Sequence, residues 1–475
     1  MKKIFNSILA IAVTLGLASC NFDQKTYQAI PTEDAYASVA DVQNALNGTY
    51  NAFGSYRFYG NYVVAIGDMA ADISTASSSS GHFVSVNNYQ ITDTENTLKL
   101  AWEYGFKVVD RSVRLINGAN KLIASNDKLT KSEVANLNLY IAQAYALRAV
   151  TNFYLVNIFG LPYQVGGANA QLGLPLLEKE PLEPFVKINR ATVAQTYEQI
   201  TADITTAKSY MEKASTVKGS INQFYLNEAA IYALDARVNL FMGKYEAAKT
   251  AAQKAIELRA SGDVSNDIYV SMWANVAITD EDIFTIAKSN DDNLSSNSLN
   301  TLYGSYGGKL TLHVSDLLDS LDIRRNLITK DLRPLKFNGI PSAQAVSNIP
   351  VFRKSEMYLI IAEAEAQANN ITASQNALFY TAKRNEAIKN PTDLPSSKDE
   401  LLTFISKENI REFFEEGHRW YNARRTGEKI TPNVAGVTGY NVAAFVYPIP
   451  ADEINAGFCT EQNPNWSDAL PKAKK

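Results

Sequence analysis

Hydrophobic positions along most of this chain repeat with the period of an α-helix. Apolar residues return every three or four positions in residues 137–160 and again in residues 192–211. The two predicted faces carry Ile141, Ala144, Tyr145, Ala149, Phe153 and Val156, and Val193, Tyr197, Ile200, Ile204 and Ala207. The pattern starts after Thr32, a residue type that caps helix N-termini. We therefore predict a mainly α-helical protein.

Small residues around one glycine indicate that two of the predicted helices form a close pair. The spacing in residues 233–258 resembles a tetratricopeptide (TPR) hairpin and involves Ala236, Gly243, Tyr245, Ala248, Ala252 and Ala255. Small side chains let two helices approach each other, and a glycine relieves the turn between them. A weaker pattern of the same kind covers residues 352–388. These patterns predict a scaffold of TPR-like helical repeats.

Two polar segments, residues 74–90 and 289–310, interrupt the helical pattern and are rich in Ser, Asn, Gly and aromatic residues. Long irregular segments in a compact protein are usually functional or disordered, and the aromatic residues favour a function. Sugars present flat C–H faces rimmed by hydroxyls, which suit exposed rings with polar neighbours. The candidate ligand-binding residues are Phe83, Asn88, Tyr89, Trp273, Tyr303 and Tyr306.

For each candidate ring the competing interpretation is ordinary core packing. Our hypothesis is that Tyr306 and Trp273 form part of a stacking platform for the ligand. Residues 54–63 hold another aromatic cluster, with Tyr56, Phe58 and Tyr59.

The first twenty residues predict export and lipid attachment. Two lysines precede a mainly apolar run from Ile8 to Leu17, and Leu-Ala-Ser stands directly before Cys20. This order resembles a bacterial lipoprotein signal, which implies that residues 1–19 are a signal peptide and that Cys20 is lipidated. We expect residues 20–32 to form a lipidated tether. The alternative is an ordinary secretory signal in which the cysteine is accidental.

Charge and cysteine content narrow the classes of function. The formal charge of −4 becomes −6 once the two lysines of the signal are removed. A mildly acidic protein lacks the basic face that binding to nucleic acid requires. Only Cys459 remains besides Cys20, so we expect no intrachain disulfide and a fold stabilised by a large core.

The sequence contains no recognisable catalytic motif. The histidines, His82, His313 and His418, form no HExxH and no metal-binding spacing with cysteine, and GxSxG is absent. Acidic runs at 280–284 and 290–293 offer oxygen atoms to calcium but lack the alternation of an EF-hand. We therefore expect no enzyme and no cofactor, and bound calcium has no pattern to support it.

Residues 412–425, EFFEEGHRWYNARR, concentrate charged and aromatic side chains. On one continuous helix, a single apolar face would carry Ile410, Phe413, Phe414, Gly417, Trp420 and Tyr421. Arg411, Arg419 and Arg424 would then need carboxylate partners, for which we nominate Glu356 and Glu363. The glycine on this face indicates that another element approaches closely. We prefer this structural interpretation to a catalytic one.

Five segments, in the expected order, resemble the SusD/RagB family across nearly the whole chain. They are residues 147–162 (LRAVTNFYLVNIFGLP), 188–207, 353–366 (RKSEMYLIIAEAEA), 408–427 (ENIREFFEEGHRWYNARRTG) and 447–466. The structural signature residues within the third and fourth are Arg353, Glu356, Glu363, Arg411, Glu416, Gly417, Arg419, Trp420 and Arg424. Because the ligand-binding loops vary within the family, no binding residue transfers by motif.

The resemblance implies about four TPR-like helix pairs packed with a loop-rich, irregular ligand-binding half. We expect an N-terminal SusD-like region at 33–270 and a C-terminal RagB/SusD region at 271–475. It further implies a non-catalytic lipoprotein, exposed on the outer membrane, that captures oligosaccharide or polysaccharide and delivers it to a SusC-like TonB-dependent transporter. The alternatives are a peptide-capturing RagB-like lipoprotein and a helical-repeat interaction protein without a small ligand.

Overall fold

The computed structural model describes residues 35–473, apart from residues 180, 182, 184, 185, 218, 220, 221, 458 and 460. The predicted signal peptide at 1–19, the lipidation site at Cys20 and most of what precedes the first helix lie outside the described residues. In the described part of the chain, no helix has both the length and the apolar character that a membrane crossing requires.

Helices dominate the first half of the chain, as the hydrophobic period predicts. They are α1 (Val39–Phe53), α2 (Tyr62–Met69), α3 (Val84–Asn87), α4 (Asn96–Ser125), α5 (Lys131–Phe159), α6 (Val193–Lys213), α7 (Glu228–Phe241) and α8 (Tyr245–Arg259). Thr130 and Thr192 start α5 and α6 with capping boxes, in which Glu133 and Gln195 return a side chain to the cap residue.

The helix α5 lies at the centre of the first half. We predicted one apolar face, but all of residues 146–159 are buried. The helices α1, α4 and α6 all pack against α5, so its polar residues are enclosed as well. One of them, Arg148, bonds to Asp203 of α6 through Nε at 2.8 Å and Nη2 at 2.5 Å.

The predicted TPR-like pair is confirmed in α7 and α8. Ala236, Ala248 and Ala252 are fully buried where the two helices meet. Gly243 turns the chain between them with a φ of +68°, a conformation that favours glycine. A Cβ at this position would also lie 2.6 Å from a methyl carbon of Val165.

Short helices and loops alternate with longer helices in the second half. The helices are α9 (Asn266–Ser271), α10 (Leu299–Tyr303), α11 (Leu312–Asp316), α12 (Lys354–Gln367), α13 (Ile371–Ala382), α14 (Lys398–Phe413), α15 (Arg419–Thr426) and α16 (Ala451–Ala456). Single 3₁₀ turns occupy Met272–Ala274, Ser295–Asn297, Ile323–Leu327, Pro391–Asp393 and Val442–Ala444. The helix α12 packs against α8, α13 and α14, which joins the repeats of the two halves.

Four small antiparallel ladders connect distant segments. The strands are β1 (Ser74–Thr75), β2 (Leu172–Pro175), β3 (Arg190–Thr192), β4 (Asp282–Ile286), β5 (Lys309–Leu310), β6 (Ile349–Arg353), β7 (Lys429–Ile430) and β8 (Tyr440–Asn441). The pairs are β1–β5, β2–β3, β4–β6 and β7–β8. Pairing of Ser74 with Leu310 and of Thr75 with Lys309 brings the two polar segments side by side.

One large cluster of buried apolar side chains runs from Val42 to Cys459. It includes residues on both sides of the expected boundary at 270/271, such as Leu234 and Phe352. The described fold is therefore mainly helical around a shared core, with loop-rich segments placed at the β1–β5 ladder.

Candidate functional site

Residues 412–425 do not form one helix. The helix α14 ends at Phe413 and α15 begins at Arg419. Between them, Glu415 and Gly417 adopt positive φ values of +67° and +77°, so the expected continuous helix is wrong. At this turn the Gly417 backbone lies close against α2, since a Cβ at this position would lie 2.6 Å from the carbonyl oxygen of Val64. The glycine does mark the close approach of another element, as predicted.

Two acids of this segment, Glu412 and Glu416, belong to a buried network of charged side chains that spans several distant segments. Arg353 contacts Glu281 at 3.0 Å, Glu412 at 3.0 Å and Glu416 at 2.8 Å. Arg384 contacts Glu281 at 3.2 Å and Glu412 at 2.9 Å. Each of these side chains is at most 4% exposed, so the charges balance one another away from water.

Arg324 and Lys336 extend the same network. Arg324 contacts Glu408 at 2.8 Å and Glu412 at 3.3 Å, and Lys336 contacts Glu416 at 2.6 Å. We call the full set the buried charge network: Arg324, Lys336, Arg353, Arg384 and Arg411 with Glu281, Asp322, Glu408, Glu412 and Glu416. Burial alone would raise the pKa of Glu408, but Arg324 and Arg411 lower it to about 2.

The nominated partners of the three arginines are wrong. Arg411 pairs with Glu408 at 2.6 Å, and Arg419 pairs with Asp72 and Glu428, both at 2.8 Å. Arg424 contacts no carboxylate among the described residues. Its guanidinium donates to three backbone carbonyls, those of Asn157, Gly160 and Phe445.

Glu356 and Glu363 instead hold arginines that we did not nominate. Glu356 binds Arg237 of α7 at 2.6 Å, and Glu363 binds Arg425 at 2.6 Å. Because Arg237 lies in α7 and Arg425 in α15, away from the helix that carries the two acids, helical spacing gave no indication of them. Trp420 is fully buried and Tyr421 is 4% exposed, so the aromatic residues of the segment do fill the core.

Two buried acids beside the network have no cation bonded to them. Asp68 accepts a hydrogen bond from the Gly417 N–H at 3.1 Å through Oδ2, and its Oδ1 has no partner among the described residues. Neither carboxyl oxygen of Glu415 has one in that part of the chain. Burial raises the pKa of both carboxyl groups well above the ordinary value, so the fold favours their protonated forms.

His418 does not form an acid–base pair with the carboxylates next to it in sequence. Its ring stacks on Phe413 with centroids 4.2 Å apart. Burial lowers its pKa well below the ordinary value, and the nearby cations Arg237, Arg353 and Lys336 lower it further. The histidine is therefore neutral at physiological pH, and residues 412–425 hold the helices together.

The two polar segments joined by β1 and β5 provide a different kind of surface. Tyr306, from the second segment, stacks on His82, from the first, with centroids 4.0 Å apart and planes 9° apart. His82 is exposed and Tyr306 is half-buried. The stack holds the imidazole in place while leaving it open to solvent, which is what a platform for a flat ligand face requires.

Local turns fix the two sides of this stack. Gly307 has a φ of +74°, and a Cβ there would lie 3.2 Å from the Cβ of Ser77. The Tyr306 N–H donates to the Thr301 carbonyl at 2.9 Å. On the other side, the Ser80 hydroxyl donates to the Ser77 carbonyl at 3.1 Å and tightens the turn that leads to His82.

Aromatic contacts continue from this stack toward α2 and α4. Phe83, next to His82, meets Tyr62 edge to face at 5.6 Å, and Tyr62 meets Tyr56 in the same way at 5.6 Å. Arg57 lies 4.8 Å from the Tyr56 ring centroid and 5.0 Å from that of Tyr104. We call the half-buried and exposed members the aromatic strip: Tyr56, Arg57, Tyr62, His82, Tyr104 and Tyr306.

Four of the predicted binding rings are buried. Phe83 is 7% exposed, Tyr89 4%, Trp273 4% and Tyr303 2%. Trp273 packs on Phe337 and under the Lys336 ammonium. The hydroxyls of Tyr89 and Tyr303 bond to the Ala70 carbonyl and the Ser74 hydroxyl. These rings lack the open face that stacking needs, so we remove them from the candidate site.

Asn88 and Tyr306 keep an accessible position. The Asn88 side-chain oxygen accepts a hydrogen bond from Asn433 at 2.8 Å, in the same polar segment as His82. Tyr62, Arg57 and Tyr104 were not among the predicted residues. Tyr62 and Tyr104 lie in the helices α2 and α4, and Arg57 is not aromatic. The cluster at 54–63 was the available signal. No group of acidic, histidine or cysteine side chains suited to a metal ion occurs in the described chain.

Two family models match the chain, and together they cover most of its length. A model described as starch-binding and associating with the outer membrane matches residues 22–240, and a SusD family model matches residues 335–466. The chain is 24% identical over 521 residues to SusD-like protein P2 of Formosa agariphila, covering 96% of this chain and 97% of that relative.

Solved structures agree with this match. A SusD superfamily protein from Bacteroides thetaiotaomicron has a TM-score of 0.78 at 25% identity, covering 90% of this chain and 100% of that one. A putative sugar binding protein from Bacteroides vulgatus has a TM-score of 0.80 at 25% identity, covering 90% and 99%. Fold and sequence thus define a helical-repeat protein of a carbohydrate-binding class. The chain belongs to the SusD/RagB family.

Proposed function

We propose that this protein is a cell-surface lipoprotein that captures oligosaccharide or polysaccharide and delivers it, unaltered, to a SusC-like TonB-dependent transporter. The observation that carries the proposal is the aromatic strip at the meeting point of the two polar segments. An exposed imidazole backed by Tyr306, with further half-buried rings beside it, suits the C–H faces of successive sugar units.

Polar groups beside the rings suit the hydroxyl rim of a sugar. Arg57 offers several N–H donors and is positioned by the rings of Tyr56 and Tyr104. Asn88 and Asn433 are hydrogen-bonded to each other on the partly exposed side of the first polar segment. Their side-chain amides have further donor and acceptor positions that can bind sugar hydroxyls. A few such groups fix the orientation of a bound sugar, and the rings supply contact area.

The charged side chains of residues 412–425 serve the scaffold, which fits a role in capture rather than catalysis. Within residues 412–425, Glu412 and Glu416 are bonded in the buried charge network, and His418 is held neutral. Arg419, Arg424 and Arg425 bond to carboxylates or carbonyls elsewhere in the scaffold. Side chains that secure the scaffold in this way are not available for proton transfer to a ligand.

Attachment to the membrane is assigned to the lipid on Cys20, followed by the tether at 20–32. The family model that matches residues 22–240 is described as associating with the outer membrane, which supports this location. Anchored beside a transporter, the protein would present the aromatic strip to incoming glycan while its helices form the rigid support.

The test is a binding survey with the soluble protein, residues 21–475, by affinity electrophoresis and calorimetry. Neutral and charged polysaccharides are compared with peptide mixtures. We expect retardation by one class of glycan, with no release of reducing ends on prolonged incubation. Heat released only by peptides would instead support peptide capture, and turnover of either ligand would contradict the proposal.

A further inference from the structure

A polar cleft lies between α1, the N-terminal half of α5 and residues 222–229. Its volume is about 540 Å³, within the range of small-molecule sites. The lining residues that matter here are Asn47, Asn136, Tyr140, Gln143 and Tyr225. None of them belongs to the aromatic strip or to the buried charge network.

Hydrogen-bonding groups in this cleft are unused. The side-chain amides of Asn47 and Asn136 have no hydrogen-bond partner among the described residues, and neither have the hydroxyls of Tyr140 and Tyr225. Burial raises the pKa of Tyr140, and the nearby Tyr225 hydroxyl raises it further. Amides and phenols grouped in a cavity, with no internal partner, can bind a polar ligand.

Internal hydrogen bonds hold the floor of the cleft in place. The Tyr50 hydroxyl donates to Gln143 Oε1 at 2.8 Å and accepts from the Leu226 N–H at 2.8 Å. The Gln143 amide is thereby oriented with its oxygen engaged, while its nitrogen has no hydrogen-bond partner among the described residues. Tyr225 packs edge to face on Tyr50 with centroids 5.2 Å apart. Groups fixed before a ligand arrives lose little freedom on binding.

The chemistry of the lining favours a neutral polyhydroxylated ligand. Lysine, arginine and histidine are absent from the described lining, and Glu228 is its one acidic residue. Each side-chain amide offers a donor and an acceptor side by side, which matches hydroxyls that both donate and accept. The tyrosine rings add surface for C–H groups.

We propose that this cleft is a second binding site, specific for neutral saccharide and independent of the aromatic strip. A protein with two such sites would hold a long glycan at two points, or would bind two different segments of it. The combined affinity for a polysaccharide would then exceed that for a short oligosaccharide occupying one site.

The test is calorimetry of the soluble protein with neutral hexasaccharides of glucose, xylose or mannose. It is repeated on Asn47→Ala/Asn136→Ala, which changes accessible side chains, and on Tyr140→Phe/Tyr225→Phe, which removes only two hydroxyls. His82→Ala/Tyr306→Ala serves as the strip variant. A neutral capped hexapeptide, acetyl-(Ala-Gly)₃-amide, is titrated in parallel.

We expect at least one hexasaccharide to bind the strip variant, and both cleft variants made in that background to bind it about tenfold more weakly or not at all. Unchanged binding in both cleft variants, no saccharide heat in the strip variant, or capture of the peptide in place of saccharide would overturn the inference. If only the strip variant loses binding, the proposed function is supported and the second binding site is contradicted. The two proposals can therefore be refuted separately.

Discussion

Replacing Glu412 by Gln removes the central anion of the buried charge network while keeping the size of the side chain. Glu412 lies 2.9 Å from Arg384, 3.0 Å from Arg353 and 3.3 Å from Arg324. The three guanidinium groups are at most 2% exposed, so water cannot replace the lost carboxylate.

The expected loss of stability follows from the charge imbalance that the substitution creates in the buried charge network. In the native network five basic side chains face five acidic ones, whereas Glu412→Gln leaves one buried positive charge uncompensated. Removing one partner of a buried ion pair typically costs about 3–5 kcal/mol. The amide still offers one oxygen acceptor, so we expect the lower half of that range.

Urea unfolding followed by far-ultraviolet circular dichroism measures this loss. The matched control is Glu257→Gln, which breaks an exposed pair with Lys254 and should leave the midpoint unchanged. Equal midpoints for wild type and Glu412→Gln, with unchanged slopes, would refute the view that these charges secure the scaffold.

Three further changes test other parts of the structure. Gly417→Ala should lower the free energy of unfolding by about 2 kcal/mol or more in urea melts, because the Cβ meets the Val64 carbonyl at a positive φ. The raised pKa of Asp68 means that the fold retains a proton that the unfolded chain releases, so wild-type stability falls as pH rises above the ordinary aspartate range. Asp68→Asn should therefore gain stability relative to wild type as the pH rises above the ordinary aspartate range, and a difference that stays constant with pH would contradict this. Cys20→Ser should move the protein from the outer-membrane fraction to the soluble fraction on cell fractionation, and retention in the membrane would contradict lipid anchoring there.

Helical periodicity predicted the helices correctly where residues close together in the sequence determine the structure. The TPR-like pair is stabilised by small residues and by Gly243, all close together in sequence, and both helices were predicted from them. The break at 414–418 escaped the same method because it accompanies a contact with α2, more than three hundred residues earlier in the chain.

Partners of buried charges could not be assigned from spacing either. Glu356 and Glu363 were nominated for the wrong arginines, because their actual partners, Arg237 and Arg425, reach them through the tertiary fold. The same limit applies to aromatic residues in the two polar segments. Tyr303 and Tyr306 are three positions apart, yet the first is buried against Ser74 and the second stacks on exposed His82.

The central claim is that the aromatic strip holds the glycan. Its most direct test is the affinity of His82→Ala/Tyr306→Ala for the polysaccharide that binds the wild-type protein, measured by calorimetry. The control is Tyr210→Ala, which removes one ring of a comparable surface stack with Tyr145, whose centroids are 5.9 Å apart. We predict a several-fold loss, up to about tenfold, for the strip variant, since an aromatic stacking contact contributes roughly 0.5–1.5 kcal/mol, and no loss for the control. Equal affinities for the strip variant and the wild-type protein would contradict the account.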